Sequence, residues 1–255
     1  MERRTSIHRT VGAASLALDI LLAAGPAAAE CPIPADEFTP DPEFSSSFMR
    51  ERCKFKTKGE NPFFPLRPGW QTVLESDEEV AVITVLDETK EVNGVKKRVV
   101  EELAYERDGD ELILTERSLN YFAMCKQTGS VFYFGEEGED YDEDGNVIGN
   151  AGAWLDGVNG ARAGIIMPGT ILVGGGYYEE IAPEDSALDK ARIDAIHDGC
   201  EAGDFEFAQQ CVETFNTQDC SDDEETKLYA DGVGTVADED LVITSFGFVD
   251  DDDDD

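Results

Sequence analysis

Residues 80–134 read VAVITVLDETKEVNGVKKRVVEELAYERDGDELILTERSLNYFAMCKQTGSVFYF. Apolar or alternating runs recur in this block at strand length, at 80–86, 98–105, 111–117, 118–124 and 131–134. They are punctuated by Asn93-Gly94, Asp108-Gly109 and Thr128-Gly129, with Asp144-Gly145 further on, dipeptides that supply the positive φ of tight hairpins. The pattern predicts a meander of antiparallel strands. The fold class expected is mainly β, a curved antiparallel sheet or partly closed barrel with few short helices.

Outward from that block the punctuation continues. Gly-rich connections at 157–160 and 174–176 flank the apolar 164–167 and 171–173, and two last strands are predicted at 226–229 and 241–248. Residues 187–197 support two readings. Leu188, Ala191, Ala195 and Ile196 fall loosely at helical spacing, whereas Ile193 and Ala195 alternate with Arg192 and Asp194, and Phe205, Phe207 and Val212 continue in strand fashion. Upstream, residues 30–60 mix Pro32, Pro34, Pro40, Pro42 and Ser45-Ser46-Ser47 with few apolar residues in register, which suits an extended arm. The division expected is a leader at 1–29, that arm at 30–60, a single β domain at 61–249 and an acidic tail at 250–255.

A chain of 255 residues is long enough to bury a core. Its 57 Asp and Glu against 20 Lys and Arg give a net charge of -37, while 41% hydrophobic content is ordinary, so whole-chain disorder is excluded. Such acidity repels phosphate backbones and anionic headgroups, so nucleic acid is not expected as a partner and cations are. Arg3, Arg4 and Arg9, the apolar run 11–22 and Ala27-Ala28-Ala29 read as a secretory signal cleaved before Glu30. Lipidation at Cys31 and twin-arginine export through Arg3-Arg4 are the lesser readings. Cleavage leaves 17 basic and 55 acidic residues and a net charge of -38. No later segment has the ~20 uninterrupted apolar residues of a spanning helix, so membrane insertion is not expected and the location is periplasmic or extracellular.

All six cysteines, Cys31, Cys53, Cys125, Cys200, Cys211 and Cys220, follow the cleavage point, and an even number in an oxidising compartment predicts three disulfides. The preferred local pair is Cys31 with Cys53, stapling the Pro-rich arm, with the other four tying the C-terminal hairpins together and onto Cys125. Zinc is the competing reading, but no CxxC occurs and His197 is the one imidazole left after cleavage.

Five segments together resemble a family of secreted bacterial and archaeal proteins of uncharacterised function that open on NP(Y/F)FPLxPG. Here that opening is NPFFPLRPGW at 61–70, followed in the family's order by YFGE at 133–136, GAWLDG at 152–157, GIIMPG at 164–169 and KLYADGVGTV at 227–236, where Asp231 replaces the family's usual Pro. The resemblance covers roughly residues 61–248. It implies a strand hairpin rather than a helix around 191–214, and a curved sheet like that of the lipoprotein carriers, by fold-level analogy. It implies no reaction and no catalytic residues, and fold alone gives no function.

The sharpest local motif is Asp140-Tyr-Asp142-Glu-Asp144-Gly145-Asn146, the D-x-D-x-D-G half of a calcium loop, with Asp140, Asp142, Asp144 and Asn146 as candidate ligands. Its twelfth position is Ala151 rather than a bidentate Glu, leaving Glu137 or Glu139 to supply an oxygen, and an acidic hairpin turn is the competing reading. The aspartates at 250–255 repel one another and suit a hydrated tail. Carboxylate pairs such as Glu101-Glu102 are too abundant here to mark glycosidase chemistry. Trp70, Trp154, Tyr133, Tyr177 and Tyr178 suit either a sugar or lipid groove or ordinary core packing. The function expected is that of a secreted, non-enzymatic binding protein for a hydrophobic or amphipathic small molecule, with calcium as accessory ion and no other cofactor. The alternative is a structural or interaction module with a protein partner in an extracellular or periplasmic assembly, and a hydrolase is third.

Overall fold

The computed structural model describes residues 31–249 apart from Asp110, Ala151 and Asp222. The leader at 1–29 and the tail at 250–255 lie outside the described residues. The chain is almost entirely strand: β1 (Phe55–Lys56), β2 (Gly59–Asn61), β3 (Phe64–Leu66), β4 (Trp70–Glu75), β5 (Glu79–Val92), β6 (Val95–Asp108), β7 (Glu111–Cys125), β8 (Val131–Tyr141), β9 (Val147–Gly149), β10 (Trp154–Leu155) and β11 (Arg162–Met167) form the first half. The second half comprises β12 (Gly176–Tyr178), β13 (Glu180–Ile181), β14 (Asp189–His197), β15 (Cys200–Ala202), β16 (Phe205–Phe207), β17 (Cys211–Gln218), β18 (Glu224–Ala230), β19 (Gly234–Asp238) and β20 (Leu241–Phe248). Two single 3-10 turns, Arg50–Arg52 and Pro183–Asp185, are the only helical pieces among the described residues.

The meander is as the turn dipeptides dictate. Asn93 and Gly94 both take positive φ between Val92 and Val95, the two-residue geometry that matches strand twist, and so set the β5–β6 register. The runs 111–117 and 118–124 are one strand, β7, because no turn residue separates Arg117 from Ser118. Residues 189–197 are strand β14, which settles the two readings of that segment against a helix.

Sheet order is β12-β14-β17-β18-β19-β20-β4-β5-β6-β7-β8-β11-β13, antiparallel at each of these pairings. Only Glu179 separates β12 from β13, so the two ends of this order meet in one stretch of chain and the sheet is a nearly closed barrel. Inside it Leu66, Val85, Val100, Phe122 and Met124 form one apolar cluster, and Tyr177, Ile193, Val212 and Tyr229 belong to another.

Residues 120–125 of β7 and 131–134 of β8 are buried on both faces, which explains why YFAM and VFYF read as continuous apolar runs. Their outer face carries Tyr121, Ala123, Phe132 and Phe134 and is covered by the segment leading into β1. Phe55 meets Phe132 and Phe134 edge-on, each at 5.2 Å, and Phe38 and Phe44 meet Tyr178 at 6.2 and 6.3 Å. A fully buried side chain of this size contributes about 1.5–3 kcal/mol.

Three disulfides form, but the local pair expected for Cys31 and Cys53 does not. Cys31 joins Cys220, 189 residues away, Cys53 joins Cys125, 72 away, and Cys200 joins Cys211, 11 away. The reason is the docking of the N-terminal segment. Lying along the barrel, it has one end at the β17–β18 turn and the other at the end of β7, so its two cysteines face different partners. The three bonds fit an oxidising compartment. Among the described residues no helix is long and apolar enough to cross a membrane.

Candidate functional site: an acidic cleft in the barrel interior

The inner wall changes character along the barrel. Towards the end where β14 and β18 begin and β17 finishes, apolar side chains give way to carboxylates.

On the β8 side the change is made by one glycine. Gly135 has φ +121°, and a Cβ there would collide with the Trp154 carbonyl. The resulting bulge shifts the β7–β8 register between the pairs Asn120–Glu136 and Phe122–Tyr133. Tyr133 and Glu136 therefore share a face although three residues apart, and the Tyr133 hydroxyl lies 2.6 Å from both Asn120 Oδ1 and Glu136 Oε2.

The opposite wall is built by alternation. Asp189, Ala191 and Ile193 on β14 stand against Gln218, Asn216 and Thr214 on β17, and Thr214 pairs with Lys227 on β18. Asn216 Nδ2 donates to Glu179 Oε2 at 3.1 Å, and Thr214 Oγ1 donates to Asn216 Oδ1 at 2.6 Å. Trp154 Nε1 donates to Glu180 Oε2 at 2.5 Å, and the Glu180 and Asp189 carboxyls are hydrogen-bonded to each other. Lys227 lies 2.9 Å from Asp238 and 3.3 Å from Glu225, with about a quarter of its side chain (26%) exposed.

Too few cations serve these acids. Burial pushes Glu136 up to about 7 and Glu179 up to about 8, and it raises Glu102, Glu116, Glu180 and Asp189 as well. For Glu180, the neighbouring Asp189 and Glu136 add to the rise. Lys227 acts against it at Glu102, Glu179 and Asp189. Burial disfavours the charge on Lys227 itself, but Asp238, Tyr229, Glu225 and Glu179 hold its pKa well above the usual value. At neutral pH Glu136 and Glu179 therefore hold protons.

Beside it opens a polar cleft of about 50 Å³, lined by Glu179, Asp189, Asn216, Asp223, Glu225 and Lys227 together with neighbouring β17 residues. That is room for water or a small ion, not for a sugar ring. Next to it in the wall, the buried Tyr177 hydroxyl has no hydrogen-bond partner among the described residues, and Glu179 raises its pKa further above the level set by burial. An apolar hollow of about 40 Å³ near Phe64, Trp70 and Val233 is likewise far below the size of a drug-like ligand pocket.

The calcium-motif residues stand elsewhere, in the exposed turn after β8. Asp142 Oδ1 accepts from the backbone N–H groups of Asp144 (3.1 Å) and Asn146 (2.8 Å) and from Asn146 Nδ2 (3.1 Å). These bonds hold the Asp142 carboxyl below its usual range. They make an Asx-type cap on the turn, with Gly145 N–H donating to the Asp142 carbonyl at 2.9 Å. Among the described residues no three or more His, Cys, Asp and Glu side chains are grouped so as to hold a metal. The five aromatics do not share one groove. Tyr133, Trp154 and Tyr177 are buried in the barrel, Tyr178 donates to Asp219 Oδ2 at 2.6 Å under the N-terminal segment, and Trp70 Nε1 donates to the Val233 carbonyl at 2.9 Å.

The cleft residues had a faint signal. Glu102 follows Val100 at the spacing of an inward face, whereas Glu101 points out to Arg117 at 2.8 Å. Acids at both positions of a dipeptide hide that difference, as do the adjacent Glu179 and Glu180. The Gly135 bulge, which turns Glu136 inward, leaves no mark that alternation counting detects. Comparison of the chain with known protein families, with curated proteins and with solved structures finds no match.

Proposed function

We propose that the protein is a secreted, non-enzymatic binding protein of the periplasm or extracellular space, and that its site is the interior acidic cleft, taking the ammonium group of a small amine. The observation that supports this is the excess of carboxyl groups over cations around a polar opening, with the Tyr177 hydroxyl unpartnered beside it. A buried carboxylate without a cation is costly, and the same carboxylate beside one is not. An ammonium ion entering the cleft supplies the missing partner, and Glu179 gives up its proton to receive it. The small volume favours a compact head group over a hydrophobic ligand. Secretion is supported by the leader-like first 29 residues and by the three disulfides.

Titration calorimetry with methylammonium chloride at about pH 7.5, on the full chain and on Asp189→Asn, tests the reading. Saturable heat in the wild type that is lost in the variant supports it. Equal heats in both proteins, or none in either, overturn it. Saturable heat with calcium chloride and none with methylammonium also overturns it, in favour of a metal site.

A further inference from the structure

The second feature lies apart from the acidic cleft and concerns a different ligand chemistry. Lys54, Lys56 and Lys58 alternate with Phe55 and Thr57 along β1 and the residues flanking it. Phe55 turns inward onto Phe132 and Phe134, which sends the three lysines to solvent. Lys56 and Lys58 line one side of a groove of about 520 Å³, and Arg67 lines it further along. Met124, Leu66 and Phe248 form an apolar lining, and Glu60 is the single acid among the lining residues. On a chain of net charge -37, three cations against one acid is a local reversal of sign.

The sequence that follows the last strand fits this groove. Phe248, 61% exposed, is part of its lining, and the next residue, Val249, donates its N–H to the Gly69 carbonyl at 2.8 Å, two positions from Arg67. The chain is thus pinned at the groove, and the residues that follow are the six aspartates at 250–255. Six residues reach at most about 20 Å. A tether that short gives an effective concentration in the millimolar range, so individually weak ion pairs suffice to populate contact.

We propose that this groove is a binding site for a carboxylate-rich peptide segment, and that its occupant is the chain's own 250–255 segment, docked in cis along Lys56, Lys58 and Arg67. The six carboxylates neutralise the groove's cations, and the apolar lining carries Phe248 up to the segment's start. An acidic segment of another protein would have to displace it.

Zero-length carbodiimide cross-linking of the full chain, followed by peptide mapping, tests this. The reaction joins a carboxylate to an amine as an amide with loss of water, which the carbodiimide takes up as it becomes a urea. Amide links from 250–255 to Lys56 and Lys58 are expected in the monomer. They should fall about fivefold in Arg67→Gln, which leaves both lysines in place to react. They should also fall in about 1 M salt, where screening shortens to about 3 Å. Both lysines are exposed, and circular dichroism of Arg67→Gln establishes that it is folded. Links spread evenly over remote lysines such as Lys96, links found only in a covalent dimer, or a yield indifferent to the substitution and to salt would each overturn the proposal.

Discussion

Two regions of the molecule bury carboxylates and treat them in opposite ways. Asp156, next to the Arg50–Arg52 turn, receives Arg50 through two nitrogens at 2.5 and 2.7 Å, Asn93 Nδ2 at 2.9 Å and the Ala163 N–H at 3.0 Å. Burial works against its charge, but those donors together hold its carboxyl below the usual range. Along the interior wall, Glu136, Glu179, Glu180 and Asp189 have hydrogen bonds, but Lys227 acts only on Glu179 and Asp189 among them, and burial wins. A buried acid whose oxygens are filled by donors is a finished structural joint. Acids buried without enough cations remain protonated and are ready to exchange protons for a cation.

The comparison can be broken most forcefully at Arg50. Arg50→Ala leaves Asp156 buried and unpaired, and urea titration is expected to show a loss of about 3–5 kcal/mol. A loss below about 1 kcal/mol would place Asp156 with the protonated group. Next in size is the bond that holds the Arg50 side of the molecule down. Cys53→Ser/Cys125→Ser opens a loop of 72 residues, with an expected cost of about 2–4 kcal/mol and no change in amine binding at the cleft.

pH acts on the two regions with opposite sign. The cleft carboxyls have folded pKa values above their unfolded ones, so the folded state holds more protons, and their contribution is complete below about pH 4.5 and is lost as pH rises. The loss runs through about 7 for Glu136 and about 8 for Glu179. Asp156, with its pKa lowered, contributes above the unfolded value and is lost as pH falls through the folded one. The melting temperature without ligand is therefore expected to decline between pH 6 and pH 9, and a flat profile would count against a proton-loaded cleft. The smallest effect sharpens the assignment to one residue. Glu179→Gln keeps the bond from Asn216 but cannot ionise, so it should raise the melting temperature by about 2–4 °C at pH 9 and leave it unchanged at pH 5.

The strands were largely legible in residues 80–134, because period-2 alternation and paired turn residues are local properties. β20 runs Leu241–Phe248, the same span that its apolar run marks out. The disulfide pairing was not legible, since it depends on where the segment before β1 lies on the barrel. Nor was the acidic wall beside the cleft. Its acids come from β6, β8, β13 and β14 and the residue between β12 and β13, and one sits inward only because of the Gly135 bulge. In a chain with 57 acids, a carboxylate facing inward looks like any other until the strands are closed into a barrel. The D-x-D-x-D-G run was conspicuous in sequence because its residues are contiguous, and in space its central acid is occupied in holding its own turn.

On the proposed reading, the interior carboxyls trade protons for an entering ammonium group. Calorimetric titration of the full chain with methylammonium at about pH 7.5, in two buffers of different ionisation enthalpy, measures that exchange directly. The heats are expected to differ between the buffers by the release of about one proton per ligand bound. Binding heats that are the same in both buffers would contradict that reading.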